Sequence, residues 1–311
     1  MDVDAPPQLD VAIVAYRCES LLRDCLASLR SHPPARPMRV HVVDNASGDG
    51  TAEMVAGEFP EAVLTASALN LGFSAANNIV IESGSAPYVL ALNPDTQVTE
   101  GALETMLELM DARPEVGISG PRLELEDGSF DHAAKRSFPT PLSALGHFTG
   151  IGRRNRASGA LAGYRAPETP ESQAGPVDAV NGAFMLIRRQ ALEEAGSFDE
   201  GYWMYMEDLD LCYRFAEAGW TTYYEPGATV IHVKAGTSGK ARSWKLNRAF
   251  HYGMYRFYRE HYAPRRNPVV NGSVYAGIAG KLAISAARSA WARRGPRSAA
   301  AGAPAKTGPA S

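Results

Sequence analysis

Cysteine is scarce in this chain. Three cysteines in 311 residues (Cys18, Cys25 and Cys212) make neither a disulfide framework nor a cysteine-based zinc site, so a reducing, cytoplasmic setting is expected. No uninterrupted run of about 18 apolar residues occurs, which excludes a conventional transmembrane helix. The opening MDVDAPPQLD is acidic and contains proline, unlike a secretory signal. There is no G-x-G-x-x-G after the first apolar run and no phosphate-loop G-K-[ST]; hydride-transfer and ATPase readings fall.

Acidic residues are almost missing from one end. Residues 232–311 hold 15 Lys/Arg and only Glu260, a net of +14, whereas residues 1–231 hold 16 Lys/Arg and 33 Asp/Glu, a net of −17. Together they return the overall −3. Such segregation suits contact with phosphates, an anionic membrane face or the chain's own acidic half. A solvated basic tail is the plainer explanation. No binding motif or aromatic platform accompanies the basic residues, so no nucleic-acid partner is expected.

What is present reads as one α/β chain. Apolar residues at 45% and charged residues at 21% are ordinary globular values. DVAIVAY (10–16) reads as a buried strand, and VHVVD (40–44), AVLTA (62–66), YVLAL (88–92) and VGISG (116–120) read as further short strands. Helical patterns cover about 19–30, 51–59, 73–83 and 100–110. The alternation predicts βαβ units, hence a mostly parallel central sheet with helices on both faces. Further on, a hairpin is expected around Asp127-Gly128, a strand at AFMLIRR, helices near 189–195 and 206–218, and short strands at 221–224 and 228–233. An aromatic-rich helix follows at 243–261, then a basic amphipathic helix at 273–294. The stretch 150–176 has no sustained period and reads as a mobile loop.

Ligands of open α/β sheets bind beyond the carboxyl ends of the strands, and several polar residues fall there. Tyr16 ends the first strand, Asp44 and Asn45 end the second, and Asn93 and Asp95 follow the fourth. Asn70 and Gly72 precede the helix that holds Phe73, Asn77 and Asn78. A single Asp in such a place commonly caps the next helix. One carboxylate is a poor metal trap. With two phosphates of a nucleotide and one more ligand, for which His232 is a candidate, six-coordinate Mg2+ or Mn2+ becomes reasonable for Asp95. Glu207, Asp208 and Asp210 begin a predicted helix, where acids also favour the helix dipole. Trp203, Tyr205 and Met206 place an aromatic, apolar lip beside them, suited to packing a sugar ring against a general base.

These clusters, in this order, resemble the inverting glycosyltransferases of family 2. The resemblance is carried by VAIVAY, VVDNASGDGT, NLGFSAANN, LALNPD, the block from VDAVNGAF to CYRFAEAGW, and VIHVKAGTS. It covers most of residues 9–261 and is closest to the bacterial branch that uses dTDP-L-rhamnose, including transferases acting on N-acetylglucosaminyl-diphosphoryl-polyprenol. The resemblance implies a GT-A-type nucleotide-sugar-binding fold. The expected organisation is a flexible N-terminus at 1–8 and a catalytic domain at 9–240, with a nucleotide-binding half at 9–120 and an acceptor half at 121–240. A basic helical region at 241–294 and a disordered tail at 295–311 complete the expected organisation.

For the site, the resemblance makes Asp44 the reader of the base and sets Tyr16, Asn45, Asn70, Gly72, Phe73, Asn77 and Asn93 around the nucleoside and sugar-phosphate. Asp95 is the metal-binding acid, with Asn93 where the family's D-x-D signature has its first Asp, and His232 is a second metal contact. Asp208 is the catalytic base; Glu207, Trp203 and Tyr205 meet the acceptor. Lys234, Lys240 and Arg242 could steady diphosphate oxygens. The expected partners are a nucleotide-sugar donor, a saccharide acceptor carried on polyprenyl diphosphate, and an anionic membrane surface met peripherally from the cytoplasmic side. A UDP-linked hexose or furanose as donor, or an inactive carbohydrate-binding module, are the alternatives. The oligomeric state is open, and a homodimer is compatible.

Overall fold

The computed structural model describes residues 6–139, 170–234 and 243–294. The expected mobile loop at 150–176 therefore lies outside the described residues up to 169, as do Lys240, Arg242 and the expected tail. Described strands are β1 (Leu9–Ala15), β2 (Met38–Asp44), β3 (Val63–Ala66), β4 (Tyr88–Leu92), β5 (Thr96–Val98), β6 (Val116–Glu124), β7 (Lys135–Arg136), β8 (Gly175–Pro176), β9 (Ala179–Val180), β10 (Phe184–Arg188) and β11 (Thr221–His232). Described helices are α1 (Glu19–Ser31), α2 (Thr51–Glu58), α3 (Phe73–Ser83), α4 (Ala102–Ala112), α5 (Arg189–Ala195), α6 (Glu207–Glu217), α7 (Trp244–Phe257) and α8 (Pro268–Arg294).

The main sheet runs β3-β2-β1-β4-β10-β6-β11-β5, with β8 on the edge of β11. From β3 to β4 every pairing is parallel, as the alternating pattern predicts. Beyond β4 the sheet is mixed: β10 is antiparallel to both β4 and β6, whereas β11 runs parallel to β6 and antiparallel to β5. A run such as AFMLIRR carries no mark of its direction, so this half is invisible to periodicity.

Strand β4 shows why the sheet is covered on both sides. All five of its residues are buried. Leu90 and Leu92 enter a core with Leu22, Leu26, Met54 and Met106 from α1, α2 and α4. Val89 and Ala91 enter the opposite core with Ile81, Leu209, Phe215 and Phe257 from α3, α6 and α7. Alternate residues of a strand point to opposite faces, so a continuous apolar run demands two layers. Each such buried side chain contributes about 1.5–3 kcal/mol.

Two expected short strands at 221–224 and 228–233 are one long strand, β11, whose register shifts between Glu225 and Thr229. Pro226 cannot donate to a ladder, so the chain bulges at Glu225-Pro226-Gly227 and then rejoins β6. The turn at Asp127-Gly128 forms as expected: Gly128 has φ 78°, and Glu124 bridges Phe130 across it.

The aromatic helix α7 begins at Ser243, whose hydroxyl accepts from Leu246 N at 3.3 Å, and ends in a wide turn at Tyr258–Tyr262. Helix α8 packs back on it. Ile278 is buried, Ser285 Oγ donates to Asn247 Oδ1 (3.1 Å), and the Tyr275 ring meets those of Tyr255 and Tyr258. Its apolar residues are not confined to that side, because Val269, Val270 and Ile284 are exposed. No helix among the described residues is long and apolar enough to cross a membrane.

Candidate active site

Three loops meet beyond the carboxyl ends of β1, β2 and β3. Asn45, immediately after β2, has its backbone N–H on Ala15 O, and its side chain organises the loop before α3. Asn45 Nδ2 donates to Gly72 O (3.0 Å), and Asn45 Oδ1 accepts from Leu71 N (2.8 Å). Asn70 Oδ1 accepts from Gly72 N (3.1 Å). Asn77 Nδ2 returns to Phe73 O within α3. Asn45, Asn70 and Asn77 thus hold the NLGF loop in shape. Asp44 is buried and accepts from Ser47 N (3.3 Å), while Tyr16 stands exposed beside Arg17.

Gly72 is needed for two reasons. Its φ is 89°, and a Cβ there would collide with the Trp203 backbone carbonyl and indole. The contact is tight because Phe73 N donates to Trp203 O (2.8 Å) and Ser74 Oγ to Tyr202 O (2.7 Å). Asn78 adds a two-way bond with the Phe198 backbone. The NLGF loop and the aromatic lip are thereby one surface. Lys245 at the start of α7 lies 3.7 Å from the centre of the Trp203 ring.

The chain enters α6 under strain. Tyr205 and Met206, neither a glycine, have φ 72° and 75°. Such backbone costs on the order of 1–3 kcal/mol per residue and persists only when the surroundings impose it. Gly253 of α7 provides the room, since a Cβ there would press on Tyr205 O at 2.8 Å. This turn sets Glu207 and Asp208 at the first turn of α6, both buried.

Asp208 Oδ2 accepts from Arg136 Nη2 (2.6 Å) and Gly182 N (3.1 Å), and Oδ1 accepts from Leu209 N (2.8 Å). Glu207 is less well supported: its Oε2 is buried without a hydrogen-bond partner among the described residues. Burial and the adjacent Asp208 charge push the Glu207 carboxyl well above the usual carboxylate range. Asp210, the third acid, bonds to Arg214 (2.8 Å) and His261 (2.7 Å). Glu260 also approaches Asp210 and His261, but Arg214 and Arg256 already neutralise these acids. It is an ion-pair network tying α6 to the end of α7.

The Asn93-Pro94-Asp95 turn leads into β5, and β5 pairs with the end of β11 so that Thr96 faces His232. Val233 N donates to Asp95 O (2.9 Å). His232 Nε2 consequently lies 3.5 Å from Asp95 Oδ1, an oxygen that is buried without a hydrogen-bond partner among the described residues. The other ring nitrogen, Nδ1, is 3.0 Å from Asp131 Oδ2, and Lys234 Nζ donates to Asp131 Oδ1 (2.6 Å). Despite burial, the His232 and Lys234 bonds hold Asp131 well below its ordinary pKa. Burial lowers His232, but the two carboxylates outweigh it and its pKa is raised.

Sequence reasoning missed Asp131 and Arg136. Both lie in a stretch without regular period, and each acts across the fold. Lys234 is engaged by Asp131. Asn93 O accepts from Thr96 Oγ1 (2.7 Å), which closes the turn below Asp95.

The model of Glycosyl transferase family 2 matches residues 10–196. The N-acetylglucosaminyl-diphospho-decaprenol L-rhamnosyltransferase of Mycobacterium tuberculosis (strain ATCC 25618 / H37Rv) is 35% identical over 248 residues, covering 75% of this chain and 78% of its own. Rhamnosyltransferase WbbL of Escherichia coli (strain K12) is 28% identical over 193 residues, 58% of this chain and 69% of its own. Among solved structures, mannosyltransferase PcManGT from Pyrobaculum calidifontis in complex with GDP-Man and Mn2+ superposes with a TM-score of 0.56 at 18% identity, covering 94% of this chain and 77% of that chain. Family match and superposed fold agree: the chain belongs to glycosyl transferase family 2 and has a GT-A-like α/β fold.

Proposed function

We propose that the protein transfers L-rhamnose from dTDP-β-L-rhamnose, with inversion, to a hydroxyl of a saccharide acceptor, N-acetylglucosamine on polyprenyl diphosphate. The observation that carries the sugar and the acceptor is the likeness to the N-acetylglucosaminyl-diphospho-decaprenol L-rhamnosyltransferase, 35% identical over about three quarters of each chain. Inverting chemistry on a nucleotide-sugar donor is the coarser reading, and the family itself supports it.

The residue roles follow the chemistry of the site. Asp44 meets the base at the end of β2, and the loop shaped by Asn45, Asn70 and Asn77 presents Gly72 and Phe73 to the nucleoside and sugar-phosphate. Tyr16 and Asn93 border the same edge. Asp95 Oδ1 and His232 Nε2 fit a divalent ion: a buried oxygen without a donor faces an imidazole nitrogen whose partner Asp131 fixes the ring. Mg2+ or Mn2+ held there supplies charge neutralisation for the leaving diphosphate. Trp203 and Tyr205 offer aromatic surface to the acceptor sugar, Glu207 borders it, and Asp208 accepts the proton of the attacking hydroxyl. The lipid carrier of such an acceptor lies in a membrane, and the outer side of α8, with Val269, Val270 and Ile284 among basic residues, is the surface suited to meet it.

The test is a donor screen on the full-length protein with Mn2+ or Mg2+ and a lipid-linked N-acetylglucosamine diphosphate. Transfer from dTDP-rhamnose, giving an α-L-linkage by NMR, is the expected result. Transfer from a UDP-hexose in its place would replace the donor assignment and keep the family chemistry.

A further inference from the structure

We infer that Arg136 is the positioning residue of the base: its guanidinium, anchored on Val180 O, fixes the Asp208 carboxylate in the orientation that receives the acceptor proton. The inference rests on the reading of Asp208 as base.

Two adjacent buried carboxyls cannot both ionise at low cost. Glu207 Oε2 has no hydrogen-bond donor among the described residues. Asp208 receives three, of which Arg136 is the one that bears charge. Among the described residues no other charged side chain donates to Asp208. On α6, Asp210 is turned to Arg214 and His261, and burial pushes the Cys212 thiol up to about 12, so it stays neutral. On β7, Lys135 lies over the Tyr224 ring. Val180 O and Gly182 N, from β9 and the turn before β10, are uncharged backbone groups, and Phe73 brings an apolar edge.

Arg136 is itself held in place. Its Nη2 also donates to Val180 O (2.6 Å), and β7 pairs with β9 so that Arg136 lies opposite Ala179. An ionised carboxylate offers about four lone pairs, and three donors leave room for one acceptor hydroxyl. In the transfer the acceptor O–H proton goes to an Asp208 oxygen as the new C–O bond forms. The bond from the anomeric carbon to the phosphate oxygen breaks, and its electron pair leaves with the nucleoside diphosphate. Without Arg136 the Asp208 carboxylate would lose its charged donor and the orientation in which it receives that proton.

The test is a double-mutant cycle on transfer by the purified protein. In Arg136→Gln kcat should fall about tenfold with nucleotide binding retained, and in the Asp208→Asn background the same substitution should cost nothing further. Arg136→Lys keeps the charge but loses the Nη2 that bridges Asp208 and Val180 O, so it should restore kcat only in part. A wild-type kcat in Arg136→Lys, or an equal further loss in the Asp208→Asn background, would overturn the inference. If Arg136→Gln does not fold, the kcat of Arg136→Lys decides. The rates are read with whichever nucleotide-sugar the donor screen finds, so failure with dTDP-rhamnose counts against the proposed donor alone. Full activity of Asp208→Asn would remove the base reading instead.

Discussion

His232 Nε2 stands 3.5 Å from Asp95 Oδ1 because β5 and β11 pair with Thr96 opposite His232. Two residues from distant parts of the chain thereby form one donor pair, and Asp131 steadies the imidazole from behind. Asp131→Asn should leave the fold intact and weaken Mn2+ binding by about 10–100-fold, because a supporting carboxylate sets ring orientation and ligand basicity. Calorimetry of Mn2+ in the presence of nucleoside diphosphate measures this. An unchanged affinity would separate Asp131 from the metal, and an unchanged affinity in Asp95→Ala would remove the site.

Asp208→Asn preserves shape and the bonds to Gly182 N and Leu209 N in part, but cannot accept the hydroxyl proton. Transfer should fall by roughly 10²–10⁴-fold with donor binding retained. A near-normal rate would pass the role of base to Glu207 or Asp210.

Glu207 makes stability depend on pH. Its folded pKa lies above the ordinary value of 4.5, raised by burial and by Asp208. Between the ordinary value and the raised one, the native protein binds a proton that the unfolded chain has released. Stability therefore falls as pH rises through that window, by up to about 1.4 kcal/mol per pH unit from this group alone. Glu207→Gln should flatten the decline in a urea-denaturation series from pH 5 to 8. A decline as steep as in wild type would show that Glu207 is not its source.

The outer side of α8 predicts membrane behaviour. Val269→Asp with Ile284→Asp alters exposed residues and leaves the Ile278, Tyr275 and Ser285 contacts with α7 in place. Binding of the wild type to anionic liposomes should weaken with salt and drop at least several-fold in the double variant, since each Lys or Arg at such a surface contributes about 1 kcal/mol and the apolar contact adds to it. Equal co-sedimentation of both proteins would leave α8 with only its packing role.

Much of the architecture follows from local sequence. Period-2 and period-3.6 patterns locate β1 to β4 and α1 to α4 closely, because each needs only its own apolar face to be specified. The same holds for α5 and α6, and for the turn at Asp127-Gly128. Strand ends deliver Asp44, Asn45, Asn93 and Asp95 to one edge as soon as the sheet is parallel there. Tertiary structure alone decided the rest. The direction of β10, the bulge that makes β11 one strand, and the pairing of β5 with β11 depend on partners far along the chain. So do the two contacts that matter most to the chemistry. Asp131 reaches His232 from the turn after Phe130, and Arg136 reaches Asp208 from a two-residue ribbon too short to show any period. Whether a buried acid carries charge depends on the donors the fold places around it, and sequence spacing does not encode them.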